Sequence, residues 1–275
     1  DINPIYTLPT ADAEKGLWVH EPRPLVPYER EPIIPDRTDW SKPTGTFVLQ
    51  DVTIGRNMAG VKPGQVKKLL ILEALPRPVS WDPWNVPITK GGAYEISRVL
   101  GTVPVEEDGS AHFEAPAMRT LYFVALDGQD MSVKRMQSFT SVMPNETIGC
   151  VGCHEKRTNA PQPVGAPTLQ ALVRQPSTIQ PVPGVPEIYD FPRDIQPILD
   201  ENCTKCHNAD KLAGGFSLAS DRGPIFSHSY DNLIDRKLVA DSSNVGSGTG
   251  NLPPFAIGSS ASPLLKVLDG SHHEV

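Results

Sequence analysis

The chain has 275 residues, 39% hydrophobic and 21% charged, with 32 acidic against 25 basic side chains and a formal net charge of -7. That length admits one large domain or two ordinary ones and can bury a sizeable core. The acidic balance excludes nucleic acid as a partner, because phosphate binding needs a basic surface, and no apolar run approaches the roughly 18 residues of a membrane span.

The 29 prolines fix φ and remove backbone donors, so extended connections should outnumber long helices. Residues 1–43 read as an extended arm, with Pro22, Pro24, Pro27, Pro32 and Pro35. The chain opens with Asp1-Ile2-Asn3-Pro4 and stops at Val275, just after His272-His273. With no methionine and no basic leader at the start, the expectation is a processed or excised piece of a longer protein.

From 44 to 145 the pattern is β. Strand candidates lie at 46–52, 66–72, 94–100, 102–105, 111–114, 121–126 and 132–142, with turns at Asp108-Gly109 and Asp127-Gly128. Short strands at this spacing predict an antiparallel β-sandwich. Residues 146–187 follow, ending in a linker that holds Pro161, Pro163, Pro167, Pro176, Pro181, Pro183 and Pro186 and should run as a semi-rigid extended path. From 188 to 275 the pattern turns helical. Ile195, Ile198 and Leu199 lie at i, i+3, i+4 and lead into Cys203. A last helix is predicted over 263–268, with Ser262 as N-cap, Pro263 at the first helical position and Gly270 just past the end. Residues 242–250 are a Gly/Ser-rich loop.

The four cysteines fall into two motifs, Cys150-Val151-Gly152-Cys153-His154 and Cys203-Thr204-Lys205-Cys206-His207. Cys-x-x-Cys-His reads as covalent haem attachment. Thiols three residues apart sit about one helical turn from each other, so both can form thioethers along one edge of a porphyrin. The histidine then serves as proximal iron ligand, and the opposite ligand tunes potential and reactivity. A Cys₄ zinc site would need closer pairs than Cys153 and Cys203, against the roughly 15–20 residues of a zinc ribbon. Two disulfides, or a thioredoxin-like redox pair, would leave the paired histidines as coincidence, and no βαβ pattern surrounds either pair.

The expected cofactors are therefore two covalently attached haems c. Residues 188–275 become a c-type cytochrome domain, and the fold class is α+β: an antiparallel β-sandwich followed by a mostly helical, loop-rich domain. The oxidising chemistry of attachment points to a periplasmic or equivalent extracytoplasmic compartment.

Two haems leave two distal positions. For the second, His272 is favoured over His273 and His228, because it directly follows a predicted rigid helix. For the first, the candidates are Met136, in the strand leading to Cys150, and His112, which alternates with Ala111 and Phe113. The third option is an open sixth position, which would point to catalysis.

Several runs resemble the C-terminal part of the hydrazine synthase alpha subunit-like family, a group of planctomycete-type multihaem cytochromes. They are Gly101 to Ser110, Lys134 to Phe139 leading into Cys150-Val151-Gly152-Cys153-His154-Glu155, Arg193 to Leu199, Phe226 to Tyr230, and Gly258 to Leu264. The resemblance covers most of 44–275. It implies a larger parent with a propeller ahead of this region and a further helix after it. It also implies a bis-histidine second haem, His207 with His272. In the hydrazine-forming members a tyrosine four residues after the first motif histidine ligates the iron, and that histidine binds zinc. Here Thr158 stands at that position and no cysteine is left to help hold a zinc, which leaves His154 as an ordinary proximal ligand.

The leading functional expectation is a di-haem electron-transfer module within a larger redox protein, working with redox partner proteins or with other subunits or domains of a complex. The alternative is a haem-dependent oxidoreductase whose first haem acts on a small nitrogen or oxygen species. A β-sandwich serving only as a docking module is the third.

Overall fold

The computed structural model describes residues 6–21, 23, 26–27, 29–76, 89–90, 96–136, 138–153, 168–241, 252–268 and 272. The chain divides into two compact units, Asp1–Asp36 and Arg37–Val275. Among its described residues the first holds one helical turn, α1 (Thr10–Ala13), and no strand. Its large apolar side chains Trp18, Ile33 and Ile34 are exposed.

The second unit is α+β. Among its described residues seven strands form two sheets. They are β1 (Thr44–Leu49), β2 (Lys68–Leu75), β3 (Ile96–Pro104), β4 (Ala111–Pro116), β5 (Leu121–Leu126), β6 (Ser132–Arg135) and β7 (Thr147–Cys150). One sheet has the order β4-β1-β7 and the other β3-β2-β5-β6. All pairings are antiparallel except β1 with β7, which is parallel and sets Leu49 opposite Cys150.

Strict alternation in β1 and β4 sends Phe47, Leu49, Ala111, Phe113 and Ala115 to one face. There they meet Leu69, Ile71, Val103, Leu121 and Ala125 from the other sheet in one core. The phenylalanines interlock: Phe47 and Phe113 stack at 5.5 Å, and Phe123 stands edge-on to both at 5.4 and 5.6 Å. Strand β5 does not alternate, because its outer face is also covered. Leu72, Tyr122, Val124 and Leu126 form a second cluster there, and Pro181, Val182 and Pro183 line a cavity with Val124 and Leu126. The proline-rich segment is tied down by backbone bonds, Thr102 with Gln180 at 2.8 and 2.9 Å and Val99 N to Glu187 O at 2.7 Å. In β6 the register slips: Ala125 faces Lys134 but Leu126 faces Ser132, so Val133 is an extra residue. This bulge lets Val133 and Lys134 both be buried.

The remaining helices are α2 (Gln196–Asn202), α3 (His228–Asp235) and α4 (Pro263–Val267). Leu199, Leu218 and Leu233 are their shared core, with Cys203, Phe216 and Leu264 packed against it. Three buried leucines supply roughly 1.5–3 kcal/mol each. A polar network sits beside them. Gln196, 5% exposed, donates to Leu218 O and Asp200 Oδ1 at 2.9 and 2.8 Å and accepts from the Ser229 hydroxyl at 2.5 Å. Among the described residues no helix is long and apolar enough to cross a membrane.

Most predicted strands occur, with instructive differences. The candidates at 94–100 and 102–105 are one strand, because Gly101, at φ +135°, absorbs a bulge opposite Ile71/Leu72. The last candidate ends at Arg135, not 142. β7 and α3 were not predicted, and β7 makes its sheet mixed where an antiparallel one was expected. In α2, Ile198 is 56% exposed and the buried partner of Leu199 is Gln196, so the apolar stripe was misplaced by one polar residue. Ser262 stands at the N-cap of α4 with Pro263 next. Its hydroxyl, however, donates to Gly258 O at 2.7 Å and accepts from Ala240 N at 3.0 Å. Gly270, His154, Thr158 and His273 lie outside the described residues, as does the loop 242–250.

Candidate functional site

The first cysteine pair is held by strand pairing. β7 ends on Cys150, whose carbonyl accepts from Gln50 N at 2.9 Å, and Val151 O accepts from Asp51 N at 3.3 Å. Two glycines then let the motif press against the loop after β1. A Cβ on Gly152 would lie 2.1 Å from Ile54 O, and one on Gly55 would lie 1.9 Å from Cys153 O. Neither position tolerates a side chain without movement of backbone.

Both thiols border a cavity of about 390 Å³ whose floor is the phenylalanine cluster and whose rim includes Lys134, Met136 and Phe139. Met136 thus shares a cavity with Cys150 and Cys153. His112 does not border it. It alternates with the core-facing Ala111 and Phe113, and its Nδ1 is buried with no hydrogen-bond partner among the described residues. Lys134 was not singled out in the sequence. The bulge turns it inward, where its ammonium donates to the carbonyls of Asn57 and Leu252. Burial holds its pKa below the ordinary lysine value, with the nearby Cys153 pulling the other way.

The second pair is built on a helical turn. The chain leaves α2 with Cys203 N bonded to Leu199 O at 2.8 Å, and His207 N closes on Cys203 O at 2.9 Å. The motif is therefore wound, with both thiols on one turn. Burial pushes the Cys203 thiol pKa up, while Cys206 is exposed. Thr204 Oγ1 donates to Asp200 O and Asn208 Nδ2 to Thr204 O, both at 2.8 Å. Gly214 and Gly215, at φ +64° and +76°, turn the chain back on itself so that Phe216 lies on the His207 imidazole, centroids 4.5 Å apart. His207 Nδ1 is buried without a hydrogen-bond partner among the described residues.

His272 comes to His207 from the far end of the chain, with ring centroids 6.1 Å apart and 27° between planes. Two imidazoles bound to opposite sides of one metal ion, through bonds of about 2 Å each, would have centroids about 6 Å apart once the ring radii are included. The separation therefore suits a shared metal. His228 instead opens α3, its N–H bonded to Asp221 O at 2.8 Å. No disulfide joins the four cysteines. Among the described residues no three His, Cys, Asp or Glu side chains gather into a metal site of their own. The donors present, two thiols and two facing imidazoles, are those that would hold a haem c at the second motif. At the first, two thiols beside an apolar cavity fit the same group.

Residues 64–155, from just before β2 through the first motif, match a family model described as the hydrazine synthase alpha subunit middle domain. Hydrazine synthase subunit alpha of Kuenenia stuttgartiensis is 28% identical over 209 residues, 57% of this chain and 26% of the relative. The chain thus spans about a quarter of that relative's length. The solved hydrazine synthase of the same organism shares the fold, with a TM-score of 0.55 and 21% identity over 76% of this chain and 34% of that one. These matches bear out the likeness to the hydrazine synthase alpha subunit-like family read from the sequence motifs.

Proposed function

We propose that this chain is the di-haem portion of a hydrazine synthase alpha-like redox protein and that it passes electrons between its two haems and a partner. The observation that carries this reading is the His207–His272 pair at 6.1 Å, which brings together two residues far apart in sequence at a spacing suited to one iron. Cys203 and Cys206 would hold the second haem by thioethers and His207 and His272 would ligate it. Cys150 and Cys153 would hold the first, with His154 proximal and Met136 the candidate distal ligand. When bound, haem supplies one-electron chemistry at a potential set by its axial ligands and surroundings. The chain's residues do the rest. The imidazole pair would hold the second iron, which would favour transfer over substrate binding, and the phenylalanine floor would give the first haem an apolar wall.

The two sheets sharing one core support the β-sandwich reading of residues 44–145, and the helices around Leu199, Leu218 and Leu233 support a cytochrome domain over 188–275. Residues 1–43 would be the arm and 146–187 the first motif with its linker. Redox proteins or other subunits of a larger complex would be the partners, in a periplasmic or equivalent compartment. A second reading, in which the first haem is catalytic on a small nitrogen or oxygen species, draws on the cavity of about 390 Å³ beside Cys150 and Cys153.

Whole-protein mass spectrometry and low-temperature EPR test both. Two added haem masses with two low-spin ferric signals are expected. A high-spin ferric signal would remove pure transfer and favour the catalytic reading, and the absence of haem mass would remove both.

A further inference from the structure

The loop that returns the chain to His207 is clamped from one side of α3. Asn232 Nδ2 donates to Ser217 O at 2.9 Å, and Arg236 Nη2 donates to Gly215 O at 2.6 Å. The two donors are four residues apart, so they share a face one helical turn long. Between the two captured carbonyls stands Phe216. Its ring meets the His207 imidazole at 4.5 Å with 40° between planes, and the Arg236 guanidinium lies over the same ring, 4.6 Å from its centroid. The packing leaves little slack, since a Cβ on Gly214 would already reach the Phe216 ring at 3.0 Å and His207 Cε1 at 3.7 Å.

We propose that Phe216 and Arg236 are positioning residues for the second haem: Phe216 fixes the rotation of the His207 imidazole, and Arg236, held on the Phe216 ring, places a positive charge that raises the haem's reduction potential. This rests on the reading of the second motif as a haem site.

The electrostatic part follows from charge balance. Reduction adds one electron at the iron, and a nearby fixed cation stabilises the reduced form. Two successive ring contacts put the charge on the order of 10 Å from the ligand. At an effective dielectric between about 20 and 80, that shifts the reduced-to-oxidised ratio roughly two- to seventeenfold, about 20–70 mV for a one-electron couple. Arg236 is exposed, so the shift should shrink as salt rises. The geometric part follows from stacking. The Phe216 face presents a fixed plane to the imidazole, and the orientation of an axial imidazole governs the g-anisotropy of a low-spin ferric haem.

The experiment is potentiometric titration with EPR on the haem-loaded 275-residue chain, with haem counted by mass beforehand. Arg236→Gln keeps a donor for Gly215 O and removes the charge, so one midpoint should fall by about the stated amount and less so at high salt. Arg236→Lys should leave it near the parent value. Phe216→Leu should change the g-values of one low-spin signal while two haems remain bound. With haem present, an unmoved midpoint in Arg236→Gln, or an equal fall in Arg236→Lys, overturns the electrostatic role. Unmoved g-values in Phe216→Leu overturn the geometric one. Absence of haem at the second motif overturns the underlying reading, a result seen at the counting step before any potential is measured.

Discussion

Replacing Gly152 by alanine should damage the first site while leaving the second untouched. The new Cβ would sit 2.1 Å from Ile54 O and 2.8 Å from both the carbonyl carbon and the Cβ of Ile54. An ordinary carbon–oxygen contact is well over an ångström longer, and none of the clashing atoms is the end of a flexible side chain. The motif loop or the loop at 54–55 must therefore move as backbone, and the second is itself pinned through Gly55 against Cys153 O. Overpacking of this kind costs about 1–3 kcal/mol. The control lies three residues upstream. A Cβ on Gly149 meets nothing within 4 Å, so Gly149→Ala should be neutral or stabilise by about 0.4–1 kcal/mol through the unfolded chain. Urea denaturation of the two variants, with haem occupancy of the peptide containing Cys150 and Cys153 read by mass spectrometry, measures both consequences. Equal stability and occupancy in Gly152→Ala and the parent, or equal losses in the two variants, would refute the steric reasoning.

Gln196→Leu should cost about 1–3 kcal/mol, because it strands the buried Leu218 carbonyl and leaves the Ser229 hydroxyl with Ser227 alone; denaturant midpoints of Gln196→Leu against Gln196→Glu check it. Lys90 donates from Nζ to Asp231 and Asp235 at 2.8 and 2.7 Å. The hydrogen bond to Asp231, then that to Asp235, raises its pKa. A raised pKa means the stabilisation is fully present below the ordinary lysine value of 10.5 and is lost as pH climbs through the folded-state value. These contacts are partly exposed, so Lys90→Met should cost about 0.2–1 kcal/mol at neutral pH, with the difference from the parent vanishing in strongly alkaline titrations of stability. His272→Ala should convert one low-spin ferric signal to high-spin without loss of haem mass, and two persisting low-spin signals would exclude His272 as the ligand.

The cysteine motifs were legible because each is contiguous in sequence and needs no tertiary partner to be seen. Most strands of the β region were legible because Phe47, Leu49, Ala111 and Phe113 alternate cleanly. β7 was not: it is four residues long, carries Gly149, and follows the turn at Asn145, so nothing local marks it. Only its pairing with β1, about a hundred residues away in sequence, makes it a strand. Helix α3 was hidden for a related reason. Its buried face includes Ser229, whose burial depends on Gln196 from another helix, so apolar periodicity understates it. Lys134 reads as a surface lysine until the bulge at Val133 turns it inward. His272 was reached from its place after a helix, whereas its approach to His207 is a tertiary fact. The roles of Phe216 and Arg236 depend on α3 packing across the return loop, which no local pattern encodes.

The parallel pairing of β7 with β1 has a topological consequence. The first strand of the β region stays open on one side until the last one arrives, and the segment that closes it carries Cys150. Bringing such distant ends together costs loop entropy that grows only with the logarithm of the intervening length, but it makes this contact the slow, non-local one. Anything that binds at Cys150 and Cys153 in the folded state draws on that closure and returns its binding free energy to the whole β region. The Cys203–His207 turn itself closes on its neighbours, from Leu199 to Leu218, and its distant contact is His272, so a group held there steadies the helices beside it and the segment that carries His272. Two motifs of one Cys-x-x-Cys-His pattern are thus wired differently, the first closing a sheet and the second wound on a local turn that one distant histidine reaches.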